Sequence, residues 1–310
     1  MTFAFVFPGQ GSQSVGMLNA FADHAIVRET VQEASDALGQ DLGKLIAEGP
    51  ADDLNLTTNT QPVMLTAAYA IYRAWQAAGG PAPAIVAGHS LGEYTALVAA
   101  GALAFRDAVP LVRFRAQAMQ TAVPVGQGGM AAILGLDDDT VRAVCAEASS
   151  AGVVEAVNFN APLQVVIAGH KAAVEKACDV AKAKGAKRAL PLPVSAPFHS
   201  SLLKPASDQL RAYLADVDIQ VPAIPVINNV DVAIVAEPAG IKDALVRQAA
   251  GAVRWVECVQ AMAGQGVTHV IECGPGKVLA GLTKRIDGNL VGASIVDPAS
   301  LDEALKLATA

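Results

Sequence analysis

The stretch Gly88-His89-Ser90-Leu91-Gly92 constrains this chain more than any other. A short apolar run, Ala84-Ile85-Val86-Ala87, leads into it, and a helix-like segment, 93–100, follows. Strand, Gly-x-Ser-x-Gly, helix is the setting in which this pattern forms a nucleophile elbow. The turn is so tight that the positions two before and two after the serine must lack side chains, and Gly88 and Gly92 meet that demand. It lifts the serine hydroxyl clear of the main chain and aims the Leu91 N–H at the same space. The plainer alternative is a glycine-rich turn from strand to helix with no chemistry attached.

At 310 residues the chain has room for one large domain or two. Hydrophobic residues make up 53% but aromatics only 5%, and alanine is abundant, which suits closely packed helices on a sheet. A formal charge of −7 argues against nucleic acid or an anionic membrane as the main partner. The first residues carry no basic flank and their apolar run stops at Pro8, unlike a signal peptide. No apolar run approaches the roughly 18–20 residues of a membrane span. Cys145, Cys178, Cys258 and Cys273 are scattered without metal-ligand spacing, as in a reduced core. The expectation is a cytoplasmic protein with no metal site.

Residues 2–7 read as a buried strand that runs into the loop Pro8-Gly9-Gln10-Gly11-Ser12-Gln13. Two readings fit that loop. It is an ordinary strand-to-helix turn, or it lends a second N–H to an oxyanion hole, as an early loop does in elbow enzymes. A phosphate loop is disfavoured, because no Gly-Lys-Ser/Thr follows. Helices are predicted around 27–38, 63–78 and 105–122, with Pro62 suited to the first position of the second and Gly79-Gly80-Pro81 ending it.

In the 105–122 helix, Leu111, Phe114, Ala118, Met119 and Ala122 form one apolar stripe at 100° per residue. Arg115 falls in the middle of the stripe, and Arg113 on the opposite, solvent side. A buried guanidinium needs an anion. That anion is either one of the protein's own carboxylates or part of a substrate.

Beyond Gly126-Gln127-Gly128-Gly129 the pattern changes to strand, helix, strand, strand, helix, strand, ending near Pro191-Leu192-Pro193. That order is the ferredoxin-like unit. It divides the chain into an insert, 126–196, and a larger domain made of 1–125 and 197–310. The larger part alternates short strands with helices, including a strand at 268–272 and helices at 200–215, 241–250, 254–263 and 277–285. Such alternation implies a mainly parallel sheet covered on both faces.

A serine hydroxyl needs a base at neutral pH. His24, His170 and His269 lie in positions that read as structural, and His89, beside the serine, points elsewhere around the turn. His199 is the best candidate: in Ser195-Ala196-Pro197-Phe198-His199 it stands where the chain leaves the insert, well placed to overhang a cleft. By spacing alone, a helix-start histidine without function also fits. No carboxylate announces itself as a third member, so backbone carbonyls are left to orient the imidazole.

Taken together, Phe7 to Gln13, the elbow, Pro193 to His199, Asn228-Asn229-Val230 and Gly274-Pro275-Gly276-Lys277 occur in the order found in the malonyl-CoA:acyl carrier protein transacylases of fatty-acid synthesis. The chain resembles that family from the first strand to about Arg285. The resemblance implies an α/β-hydrolase-like core with a ferredoxin-like insert. It implies Ser90 as nucleophile, His199 as base, and the Gln10 and Leu91 amides as the oxyanion hole. By the same resemblance Arg115 would hold the malonate carboxylate, and Gln248 would support His199 through its backbone carbonyl. Gln61 and Asn160 match positions near the family's cleft.

The implied reaction is ping-pong. Malonyl-CoA acylates Ser90, and the phosphopantetheine thiol of an acyl carrier protein then takes the malonyl group, with no cofactor bound permanently. Phe198 is a wall where an α-methyl group would have to fit, so malonyl is expected to be preferred to methylmalonyl. Basic runs at Lys182, Lys184, Lys187 and Arg188, and at Lys277, Lys284 and Arg285, are candidate docking points for an acidic carrier, or simply solvated faces. A serine thioesterase or hydrolase with the same elbow, an acyltransferase loading a polyketide-type carrier, and a non-catalytic thioester-binding protein remain as alternatives.

Overall fold

In the computed structural model, which describes residues 1–194 and 196–309, the strands form two separate sheets. Ser195, part of the run leading to His199, lies outside the described residues. The strands are β1 (Phe3–Phe7), β2 (Ile85–Gly88), β3 (Gly128–Leu134), β4 (Val154–Ala161) and β5 (Gln164–His170). They continue with β6 (Arg188–Pro191), β7 (Val226–Ile227), β8 (His269–Cys273) and β9 (Val291–Ile295).

The larger sheet has the order β7-β2-β1-β8-β9, and every pair in it is parallel. Its centre, β1, is buried along its whole length, because helices cover both faces. Phe3, Phe5 and Phe7 point to one side, where Phe5 meets Trp75 edge-on with ring centroids 5.0 Å apart. Ala4 and Val6 point to the other, into a core with Trp255, Cys258 and Met262. Burying each of those aromatic rings contributes about 1.5–3 kcal/mol.

The chain enters the cleft side of the molecule wherever a parallel strand ends. The loop after β1 carries Gln10, the turn after β2 carries Ser90, and the turn after β7 carries Asn228 and Asn229. The loop after β8 carries Gly274-Pro275-Gly276, and side chains added at Gly274 or Gly276 would meet Pro8 or Ser12. The carboxyl ends of parallel strands are where open α/β sheets place their ligands.

One helix differs from expectation in a way that matters. It spans Thr57–Ala77 rather than 63–78, so Pro62 lies inside it and not at its first position. The start is held by the Leu56 carbonyl, which accepts from the Asn59 and Thr60 N–H groups at 2.7 and 2.8 Å. Proline this near the amino end removes one internal hydrogen bond and leaves the first turn untouched. Gln61 is therefore a buried helical residue facing the core instead of a residue in front of the helix.

The second sheet, β4-β5-β3-β6, is antiparallel throughout. The helices Asp138–Ala148 and Lys171–Ala183 cover one face, giving the ferredoxin-like order of elements. The other face packs Met130, Val157, Val166 and Ala168 against Ala118, Met119, Phe198 and Leu203 of the larger part. That shared apolar layer fixes the segment bearing His199 over the ends of the parallel strands. No helix among the described residues is long and apolar enough to cross a membrane.

Candidate active site

The elbow has the geometry its glycines imply. Ser90 has φ of 54°, a left-handed conformation that costs a non-glycine residue about 1–3 kcal/mol. A Cβ at Gly88 would lie 1.8 Å from the Gly92 carbonyl carbon, and one at Gly92 would lie 2.0 Å from the Phe7 oxygen. Neither backbone atom can yield, so both positions require glycine. Asn229 braces the strained turn: its Oδ1 accepts from the Ser90 N–H at 2.8 Å, and its Nδ2 donates to the Gly88 carbonyl at 2.8 Å.

His199 Nε2 lies 2.7 Å from Ser90 Oγ, and His199 Nδ1 lies 2.9 Å from the Gln248 carbonyl oxygen. A carbonyl can only accept, so Nδ1 carries the hydrogen and Nε2 is left to accept from the serine hydroxyl. His199 is 4% exposed and itself has φ of 66°. Burial, reinforced by the neighbouring Arg115 charge, pushes its pKa down to about 3, against the pull of the Gln248 carbonyl. The imidazole therefore rests neutral.

Arg115 is 1% exposed, on the helix Phe105–Thr121. Its guanidinium donates to Gln61 Oε1 at 2.8 Å, to Gln248 Oε1 at 2.9 Å and to Ser90 Oγ at 3.1 Å, and it lies 5.3 Å from the centre of the Tyr94 ring. All three oxygens are uncharged. Of the two anions the stripe allowed, an ion pair with one of the protein's own carboxylates is not made among the described residues. Arg113, expected in solvent, is half-buried and tied to Gln40 Oε1 at 2.5 Å and Asn59 Oδ1 at 3.3 Å. Its long stem lies along the neighbouring helices while the charged end finds amide oxygens.

Ser90, Arg115 and His199 line a cleft of about 120 Å³, together with Gln10, Leu91 and Phe198. Among the described residues no main-chain oxygen accepts from the Gln10 or Leu91 N–H. Gly9 lets the first loop close on the elbow, since a Cβ there would lie 2.5 Å from the His89 oxygen. Asn160 stands one step back: its Oδ1 is 2.8 Å from His89 Nε2, and His89 packs against Trp255. Asn158, two residues earlier on β4, lines the cleft instead, with its Oδ1 buried and unpartnered.

Two residues whose roles the sequence does not reveal sit at the centre of this arrangement. Asn229 is one. The other is Glu93, 2% exposed, whose Oε2 accepts from the Asn229 N–H and from Gln248 Nε2, each at 2.9 Å. Gln248 Nε2 also donates to the Ser90 carbonyl at 2.9 Å. A lone carboxylate ahead of the uncharged run 94–100 was the available signal for a buried acid.

Residues 4–287 match the acyl transferase domain family. The chain is 57% identical over 304 residues to the malonyl CoA-acyl carrier protein transacylase of Salmonella typhimurium, covering 98% of each chain. It is 85% identical to an acyl-carrier-protein S-malonyltransferase from Burkholderia pseudomallei whose crystal structure superposes with a TM-score of 0.98, covering 99% of this chain and 100% of that one. A malonyl-transacylase solved in complex with its type II PKS acyl-carrier protein is 51% identical, with a TM-score of 0.98 and coverage of 99% and 100%.

Proposed function

This chain belongs to the malonyl-CoA:acyl carrier protein transacylases of the acyl transferase family, and from that premise we propose how its residues divide the work. The enzyme transfers a malonyl group from malonyl-CoA to an acyl carrier protein. Ser90 is the nucleophile. Its Oγ attacks the thioester carbonyl while its proton passes to His199 Nε2, and the Gln10 and Leu91 N–H groups hold the developing oxyanion, each worth roughly 3 kcal/mol. The carbon–sulfur bond breaks, CoA leaves with the proton from His199, and malonyl-Ser90 remains.

In the second half the phosphopantetheine thiol of the carrier gives its proton to His199. Its sulfur forms the new thioester, and Ser90 leaves protonated. Arg115 exchanges its bond to Ser90 Oγ for a bidentate pair with the malonyl carboxylate, and Gln61 and Gln248 keep the guanidinium in place. The CoA thioester and the carrier's phosphopantetheine bring all the groups that react, so the cycle calls on no resident cofactor. His89, held by Asn160, lines the cleft beside Ser90. We place the enzyme in the cytoplasm, in keeping with four free, buried cysteines.

The observation that carries this reading is the single oxygen, Ser90 Oγ, shared between His199 at 2.7 Å and Arg115 at 3.1 Å. It supports reading His199 as the base and Arg115 as the anion-binding group of one nucleophile. Intact mass spectrometry tests it. With malonyl-CoA alone the enzyme should gain one malonyl group on Ser90 and stop, and adding holo carrier protein should discharge it. Continuous release of free malonate without a carrier would make the protein a hydrolase. Discharge by a polyketide carrier as fast as by a fatty-acid carrier would favour the polyketide role.

A further inference from the structure

Arg115 is fully buried, yet each oxygen it touches in the resting site belongs to a neutral group. A guanidinium so placed is costly unless a negative charge lies close by. Gln248 supplies the connection. Its Oε1 accepts from Arg115, and its Nε2 donates to Glu93 Oε2. One side-chain amide thus bridges a buried cation and a buried carboxylate on two different helices, Phe105–Thr121 and Gly92–Ala99.

We infer that Glu93 is a positioning residue that serves as the resting counter-ion of Arg115 through the Gln248 amide, and so sets how tightly the clamp holds an acyl carboxylate. The inference rests on the assignment of Arg115 to the malonyl carboxylate. A direct Arg–Glu pair would occupy the guanidinium edge that the substrate uses. An amide between them keeps the charges coupled and leaves that edge to Ser90 Oγ, a neutral partner that the substrate carboxylate displaces. Once malonyl is bound, two carboxylates share one cation, and each weakens the hold on the other.

Other ionisable groups around Glu93 are Tyr94 on its own helix, Cys258 beneath it, and Asp231, half-exposed and paired with Arg247 at 2.7 Å. None competes as a counter-ion, since Asp231 is already paired and burial drives both Tyr94 and Cys258 toward their neutral forms. Burial pushes the Glu93 carboxyl up to about 7, while the Asn229 N–H, the Gln248 amide and Arg115 favour its ionised form.

The substitution Glu93→Gln isolates the charge. Both hydrogen bonds made by the carboxylate use the same oxygen, so an amide oxygen in that place retains both. The experiment is single-turnover loading of Ser90 at pH 8 with malonyl-CoA and acetyl-CoA over a range of concentrations. Malonyl-over-acetyl preference should rise in Glu93→Gln by several-fold, up to about the tenfold that one pKa unit of coupling represents. The same substitution in an Arg115→Ala background should leave the ratio where Arg115→Ala alone puts it. An unchanged or lowered preference in the single variant, or a shift that persists without Arg115, would overturn the inference. If Glu93→Gln melts too early for kinetics, Glu93→Asp, with the carboxylate withdrawn by one methylene, should raise the preference by a smaller factor, and a fall would overturn it. Failure here leaves the role of Arg115 intact, whereas equal loss of malonyl and acetyl loading in Arg115→Ala would remove both.

Discussion

Replacing Arg115 with alanine deletes the donor to Gln61, Gln248 and Ser90 in one step, from a position 1% exposed. With Arg115 in its proposed role, the change also leaves the malonyl carboxylate of the acylated enzyme without its cation. Truncating one member of a buried charge pair costs about 2–5 kcal/mol. A mid-range loss of about 3 kcal/mol corresponds to a roughly 150-fold fall in malonyl kcat/KM. An acetyl group has no carboxylate to lose, and the wild-type site must leave Arg115 without a directly bonded anion when acetyl binds. Its loading should therefore fall far less, through the missing bond to Ser90 alone. The assay is the ratio of initial loading rates for malonyl-CoA and acetyl-CoA, followed by mass, with a thermal melt to verify folding. A wild-type ratio reduced by about two orders of magnitude is expected. Equal losses for both thioesters would refute the carboxylate role.

Four further outcomes follow from the same geometry. His199 has its pKa lowered by burial, so the unfolded chain binds the proton more tightly. Its contribution to stability is present above pH 6.5 and is lost as pH falls toward about 3. Between pH 6.5 and 5, wild type should lose about 2 kcal/mol more than His199→Gln in urea unfolding. Asn229→Ala unpairs the Ser90 N–H and the Gly88 carbonyl inside the elbow, and should cost about 2–4 kcal/mol of stability with a parallel fall in loading rate. Phe198, 8% exposed on the cleft wall, should disfavour methylmalonyl-CoA, and Phe198→Ala should narrow the gap in kcat/KM between the two thioesters. On the carrier side, Lys182 and Lys184 already pair with Asp179 and Glu147, while Lys277, Lys284 and Arg285 are exposed beyond the strand β8. Reversing the latter three charges should raise the KM for carrier and flatten the salt dependence of transfer, leaving CoA-side loading little changed.

Most of the architecture was legible because it rests on local pattern. The six elements of the insert follow their periodicities closely, and the four-stranded sheet they form has the expected ferredoxin-like order. The amino end of the Thr57–Ala77 helix lies ahead of where Pro62 alone suggests, since proline favours a first position but also fits further into the amino-terminal region. The strand Val291–Ile295 and the helix Pro298–Thr309 carry weaker sequence signals. The strand's Val-Gly-Ala-Ser-Ile has neither clean alternation nor bulk, and it acquires its structure by pairing with β8. In the site, Ser90 announced itself through its glycines and Arg115 through the apolar stripe. Asn229 and Glu93 did not, because their roles lie in contacts spanning more than 130 residues of chain. Periodicity carries no trace of such contacts.

The imidazole of His199 leans on a main-chain carbonyl where many serine enzymes supply a carboxylate, and a guanidinium stands close by. Burial and that guanidinium make it a reluctant proton acceptor, and a neutral carbonyl offsets them less than a carboxylate would. Water, with a pKa near 15.7, needs strong help before it can attack an ester, whereas a thiol with a pKa of about 8.5 needs little. Ser90 overcomes the imidazole's reluctance by position, with its hydroxyl fixed 2.7 Å from Nε2, whereas a solvent water has no such placement; with His199 as the proposed base, a second nucleophile that is already acidic is favoured over water. On that assignment the loaded serine should wait for a carrier thiol longer than hydrolysis in solution would suggest, so that the timing of transfer belongs to the partner and not to the solvent.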